Sequence, residues 1–193
     1  MQRIGIFGGT FNPIHVGHLA IAQAAQEKCA LDKVIFVPCA LPPHKKSTDL
    51  VSAKDRYAMV QIAIADNPAF AISDFEIQKG GKSYSIDTVR HFYQKLPTGT
   101  KFFFILGEDW AGDLQTWHEI DALVKLVTFV VINRPGHTPA KSRIKYRSMA
   151  SAGIDVSASG IRRLLQQGQS GRYFVSDQVR KYIATHHLYQ SKK

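Results

Sequence analysis

The sequence predicts an α/β fold, a doubly wound parallel sheet with helices on both faces and a helical segment at the C-terminal end. Three observations carry this. Apolar runs of strand length alternate with helical patterns along the chain, several of those runs are apolar on both faces, and the first passes through a tight glycine turn straight into a helix. A length of 193 residues suits one domain, expected to span 1–193, and at this size roughly 70% of the unfolded chain's surface can be buried.

The first strand is expected over 3–7, where Ile4-Gly5-Ile6-Phe7 is apolar throughout, and the first helix over 16–28, with its alanine-rich run at 20–25. Between them lies Gly8-Gly9-Thr10-Phe11-Asn12-Pro13-Ile14-His15-Val16-Gly17-His18-Leu19. Amides freed at that helix start, with the positive end of the helix dipole, make an anion site. His15 and His18 stand three apart, so on a first helical turn they share a face and reach one ligand. A strand over 33–38 leads into Pro42-Pro43-His44-Lys45-Lys46. In isolation that segment reads as a solvated basic loop; beside a helix N-terminus it suits a phosphate clamp, with Lys45 a point charge on a flexible stem. The helix over 53–65 starts behind Ser52, with Asp55 in its first turn. A strand over 70–77, a helix over 86–96 and a strand over 101–106 follow. The helix over 117–126 opens on Thr116 with Glu119 three residues on, a capping box. The strand over 127–133 ends at Arg134-Pro135, and the polar, basic stretch 136–153 reads as an insertion or mobile loop. A short strand at 154–156, a helix over 160–167 and a helix over 177–187 behind Ser176 complete the pattern.

In open α/β sheets ligands bind outside the carboxyl ends of the strands, where the winding direction switches. That rule gathers the unusual residues at one cleft: the glycine turn, the 42–46 segment, Gly107-Glu108-Asp109-Trp110, Arg134-Pro135 and Ser157-Ala158-Ser159-Gly160.

Lys plus Arg number 25 against 15 Asp plus Glu, a net charge of +10 that favours polyanionic partners. The basic clusters at 141–147, 162–163, 180–181 and 192–193 and the single Arg172 are not interleaved with stacking aromatics in an RNA-binding pattern; charge alone does not choose, and small phosphorylated substrates would be drawn as well as nucleic acid, the resemblance described below favouring the former. Cys29 and Cys39 read as small buried apolar residues in a reducing compartment, a disulfide being the lesser reading. The chain shows no basic-then-apolar leader, and its longest apolar run, 126–132, is too short to span a bilayer; the expectation is a soluble, cytoplasmic protein with no membrane partner. Two imidazoles are too few for a closed zinc site, and neither a Cys pair nor His-Glu-x-x-His accompanies them, so no protein metal site is expected. Gly136 to Ser142 faintly echoes a P-loop, but Ala140 occupies the glycine position.

Taken whole, the string from Gly8 to Leu19 resembles the (T/H)-x-G-H signature of the nucleotidyltransferase superfamily, and its Gly-Gly-Thr-Phe and Pro-Ile-His flanks narrow the resemblance to bacterial-type nicotinate mononucleotide adenylyltransferases. Ser157-Ala158-Ser159-Gly160-Ile161-Arg162 is similar to the second signature, (I/V)-S-x-(S/T)-x-x-(R/K), with Ser159 where threonine is usual. Gly107 and Asp109 followed by Trp117 resemble a segment whose acid takes ribose hydroxyls and whose indole stacks on the pyridine ring, though a tryptophan at a helix start is also a common packing anchor. Ser83-Tyr84-Ser85-x-Asp87-Thr88 is similar to S-Y-T-x-D-T, near which backbone amides receive the nicotinate carboxylate. Asp55-Arg56-x-x-Met59, Val131-x-Asn133-Arg134-Pro135-Gly136 and the closing Val179-x-x-Tyr182-Ile183-x-x-His186-x-Leu188-Tyr189 carry the likeness across nearly the whole chain. Asn12 departs from it, since aspartate is usual in T-F-D-P; asparagine accepts a hydrogen bond but supplies no charge.

The resemblance implies a Rossmann-like nucleotidyltransferase fold and adenylyl transfer from ATP to nicotinate mononucleotide. Phosphopantetheine adenylyltransferases and cytidylyltransferases share the histidine signature; class I aminoacyl-tRNA synthetases would need a second Lys-rich signature, which is missing. His18 would hold the α-phosphate, while His15, Lys45 and Arg162 secure the triphosphate. Gly8, Gly9, Thr10, Phe11, His44, Ser157 and Ser159 would line the nucleotide, and Tyr84, Ser85, Gly107, Asp109, Trp117 and Arg134 would complete the substrate contacts. Magnesium would enter mostly bound to substrate phosphates, and a homo-oligomer is left open.

Overall fold

Strand β1 (Arg3–Gly9) sits at the middle of the sheet because its apolar residues face helices on both sides. The computed structural model describes residues 1–41, 50–133, 142–150 and 154–190. After β1 come α1 (Val16–Lys28), β2 (Lys33–Pro38), α2 (Ala53–Ala63), β3 (Phe70–Ile72), α3 (Phe75–Lys79) and α4 (Ser85–Lys95). Then follow β4 (Lys101–Gly107), a 3₁₀ segment (Glu108–Thr116), α5 (Ile120–Leu126), β5 (Val127–Asn133), β6 (Tyr146–Ala150), α6 (Ala158–Gln166) and α7 (Asp177–Thr185).

The strands form one six-stranded sheet in the order β3-β2-β1-β4-β5-β6, all pairs parallel. This is a doubly wound, Rossmann-like arrangement, and the winding reverses between β1 and β4. Successive residues of a strand serve opposite faces. Phe7, Phe36, Phe103, Ile105 and Val130 pack with Ala22 and Ala25 of α1, Met59 and Val60 of α2 and Val179 and Ile183 of α7. Ile6, Val37, Phe104, Leu106 and Val131 pack with Ile86 and Val89 of α4, Leu114, and Leu123 of α5. Pairing of β1 with β2 continues to Gly9 and Pro38, whereas its pairing with β4 ends at Ile6 and Phe104. The last residues of β1 therefore part from β4, and a crevice opens there.

Buried Arg56 of α2 braces this opening, donating to the carbonyls of Thr10 at 2.9 Å, Ala40 at 3.0 Å and Val51 at 3.3 Å. Ser52 and Ser176 cap α2 and α7 as the sequence suggests, accepting from the Asp55 and Val179 amides at 3.0 Å and 3.3 Å. Both cysteines are free and buried.

Three expectations are corrected. The strand placed at 70–77 ends at Ile72, and the chain turns into α3. The turn is favoured by partners on α4: Phe75 stacks on His91 at 3.9 Å, and Glu76 accepts the Thr88 hydroxyl at 2.6 Å. The strand placed at 154–156 is not one; Tyr146–Ala150, inside the stretch read as a loop, pairs with β5 instead. Being the sheet edge, it needs little beyond backbone pairing, so its polar sequence carries no apolar run. Thr116 and Glu119 make no capping box. The Thr116 hydroxyl donates to the Asp113 carbonyl at 2.7 Å, and Glu119, in a left-handed conformation at φ 50°, pairs with Arg90 at 2.6 Å.

Candidate active site

The turn after β1 is shaped by one ring. Phe11 takes φ 48° and folds back over Gly9, where a Cβ would lie 2.8 Å from the phenyl, so only glycine fits beneath it. The chain then reaches His15, the residue before α1. Its ring stacks on that of His18 with centroids 3.7 Å apart, confirming that the spacing puts both on one face. Phe11 meets His18 edge-on at 5.1 Å. The His15 amide donates to His18 Nδ1 at 3.3 Å. With Nδ1 occupied as an acceptor, a neutral His18 carries its proton on Nε2, which is thereby set as a donor.

Beside this turn stands the start of α6. Ser157 caps it, accepting from the Gly160 amide at 3.1 Å, and the Ser159 hydroxyl lies 3.2 Å from that of Ser157. The cap is thus Ser157, which leaves Ser159 beside the helix N-terminus. Arg162 Nη1 donates to the Asn12 carbonyl at 2.8 Å, although the two residues are 150 positions apart. Its Nε is buried without a hydrogen-bond partner among the described residues.

The far end of the crevice is aromatic. Tyr84 precedes α4 and lies 4.4 Å from His118; Trp117 meets Phe104 edge-on at 5.6 Å and Trp110 at 6.4 Å. Trp117 is thus a packing anchor and a wall of the cleft at once. Glu76 lies under this end with its carboxyl buried. Desolvation holds that carboxyl above the ordinary range, against hydroxyl hydrogen bonds from Thr88 and Ser83 that pull the other way.

All these groups line one cleft of about 710 Å³. Gly8, Gly9, Thr10, Phe11, His15 and His18 line it together with Ser157, Ser159 and Arg162 and with Tyr84, Ser85, Gly107, Asp109 and Trp117. His44, Lys45 and Arg134, with the rest of the 42–46 segment and the 136–140 stretch, lie outside the described residues. Glu76 and His118 also line the cleft and were not anticipated. A lone acid in an apolar run, and a histidine next to Trp117, were the available signals. Among the described residues no group of three or more His, Cys, Asp or Glu is placed to hold a metal ion. Amides, hydroxyls and a guanidinium suit phosphate oxygens instead.

Comparison with known proteins bears on the family and the fold. Residues 6–164 match the family model described as cytidylyltransferase-like. A curated relative from Lactiplantibacillus plantarum is 45% identical over 98% of this chain and 89% of its own length; one from Shouchella clausii is 46% identical over 98% and 97%. Both are described as "probable nicotinate-nucleotide adenylyltransferase". Among solved structures, Plasmodium falciparum nicotinic acid mononucleotide adenylyltransferase complexed with NaAD has a TM-score of 0.80 at 22% identity, covering 98% of both chains. Its complex with APC has a TM-score of 0.78 at 21% identity, again over 98% of both. These solved structures share the fold.

Proposed function

The chain belongs to the cytidylyltransferase-like family and, within it, to the nicotinate-nucleotide adenylyltransferases, and from that premise we propose how its residues perform the reaction. An oxygen of the nicotinate mononucleotide phosphate bonds to the α-phosphorus of ATP as the bond to the β-phosphate oxygen breaks. The products are nicotinate adenine dinucleotide and pyrophosphate, a step of NAD biosynthesis. No protein nucleophile is needed, because such transfers are catalysed mainly by positioning and by donors placed where negative charge shifts.

The observation that carries this reading is that one cleft joins two helix N-termini to an aromatic slot. The Nε2 proton of His18 is the donor for the α-phosphate, ready before the substrate arrives. His15 and Arg162 take the outgoing phosphates, with Lys45 and His44 adding charge from the preceding segment. Ser157 and Ser159 accompany the α6 amides, and Asp109 accepts from ribose. Trp117 and Tyr84 bracket the pyridine, the amides at Ser85 receive its carboxylate, and Arg134 joins from the end of β5. Magnesium would enter with ATP as part of the substrate, bound mainly to phosphate oxygens, and would supply positive charge to the departing pyrophosphate. No described helix is long and apolar enough to cross a membrane. The cytoplasm, where Cys29 and Cys39 would stay reduced, is the compartment we propose.

The test is pyrophosphate release from ATP and magnesium with each candidate acceptor. Nicotinate mononucleotide should support turnover with nicotinate adenine dinucleotide as product, nicotinamide mononucleotide should do so less well, and phosphopantetheine should not. Exclusive use of phosphopantetheine would overturn the acceptor; salt-sensitive RNA binding without pyrophosphate release would overturn the reaction.

A further inference from the structure

We infer that Tyr189 and Asn12 form a clasp that holds Arg162 in place for the triphosphate, which makes Tyr189 a positioning residue for the ATP half of the reaction; the inference rests on the role proposed for Arg162. Asn12 is buried in the turn between Phe11 and α1, and it is bonded in two directions. Its side-chain oxygen accepts the Tyr189 hydroxyl at 2.8 Å and the Val51 amide at 3.4 Å. Its main-chain carbonyl accepts Arg162 Nη1 at 2.8 Å. One residue of the phosphate-facing turn therefore connects a tyrosine 177 positions away to the arginine of α6.

The tyrosine is itself held in place. It follows α7 in a left-handed conformation at φ 61°, just after Leu188 donates to the Ile183 carbonyl at 3.0 Å. Tyr182 of α7 anchors the helix to α2 by donating to Asp55 at 3.0 Å. Burial keeps the Tyr189 phenol protonated, outweighing the pull of Arg162 and Arg56, so it remains a donor. A guanidinium on a long flexible stem gains most from being oriented before its ligand arrives. The Asn12 carbonyl provides that orientation for one nitrogen of Arg162, and Tyr189 keeps the carbonyl where it is.

Asparagine at position 12 suits this arrangement. The Tyr189 hydroxyl needs an acceptor, and a neutral carboxamide oxygen is one as much as a carboxylate is. Charge at position 12 is not required by the clasp.

Steady-state kinetics and thermal scans on Tyr189→Phe, Asn12→Leu and Asn12→Asp test the inference. Loss of one buried hydrogen bond predicts about a tenfold fall in kcat/KM for ATP in Tyr189→Phe and in Asn12→Leu, with the KM for nicotinate mononucleotide little changed. Asn12→Asp should restore what Asn12→Leu loses. In an Arg162→Ala background, adding Tyr189→Phe should leave the affinity for a non-hydrolysable ATP analogue where Arg162→Ala alone puts it. Equal effects on both substrates, a lowered Tm with unaltered kinetics, or a full additional effect on the Arg162→Ala background would each overturn the clasp. Should Tyr189→Phe fail to fold, the two Asn12 variants still decide the matter. Wild-type protein that releases no pyrophosphate with either mononucleotide would instead overturn the reaction on which the inference rests.

Discussion

At His18 the site asks for a ring that presents a proton to a phosphate oxygen and does not rotate away. The His15 amide at 3.3 Å sets the tautomer, and the His15 ring, stacked at 3.7 Å, limits rotation. His18→Ala should therefore lower kcat on the order of 10²–10³-fold, about 3–4 kcal/mol of transition-state stabilisation. Its Tm should move little, because His18 is only partly buried. An unaltered kcat would remove His18 from the reaction. The pair was legible in the sequence because three-residue spacing on a helix is a local property. The tautomer was not, because it depends on how the turn delivers the His15 amide.

Helices α3 and α4 meet through a buried acid, and this contact belongs to neither alone. Glu76 takes the Thr88 hydroxyl at 2.6 Å, while the nearby Lys79 and Asp87 pair at 2.9 Å. Burial holds the Glu76 carboxyl above its ordinary range, so the native state keeps this proton more tightly than the unfolded chain does. The resulting stabilisation is present below the ordinary carboxylate range and is lost as pH rises through the raised value. Glu76→Gln removes that titration. The Tm of the variant relative to wild type should accordingly improve as pH goes from about 4 to about 8. A difference that stays flat across that range would show that ionised Glu76 is fully compensated by its hydroxyl partners. The sequence masked this contact because Phe75, Glu76 and Ile77 continue an alternating pattern. The competition between sheet and helix was decided by partners on α4. Edge strand β6 escaped for the complementary reason, with polar residues and no apolar run to mark it.

At the scale of the whole molecule, the chain carries a net charge of +10 and a cleft that suits two phosphorylated substrates. Long-range attraction of this kind acts on encounter and is screened by salt. Raising ionic strength from about 50 to about 300 mM should lower kcat/KM for ATP several-fold while leaving kcat at saturation nearly unchanged. A salt-independent kcat/KM would mean that the excess charge lies away from the substrate's path. The doubly wound sheet was legible at this scale, because strands apolar on both faces have to be covered on both sides. So were the strand-to-helix turn carrying His15 and His18 and the helix start at Ser157 and Ser159, since glycine and hydroxyl residues at a helix start report their geometry locally; the strand expected before Ser157 is absent.

The sequence by itself determined which chemical groups are available and which turns present them. Only the tertiary structure decided that β1 parts from β4 beyond Ile6, which opens the cleft, and that Arg162 and Tyr189 both close on Asn12 from 150 and 177 residues away. Backbone preferences and capping act within a few residues and so are written in neighbouring letters. Contacts between distant segments follow from the packing of all the layers together, and no short stretch of chain encodes them.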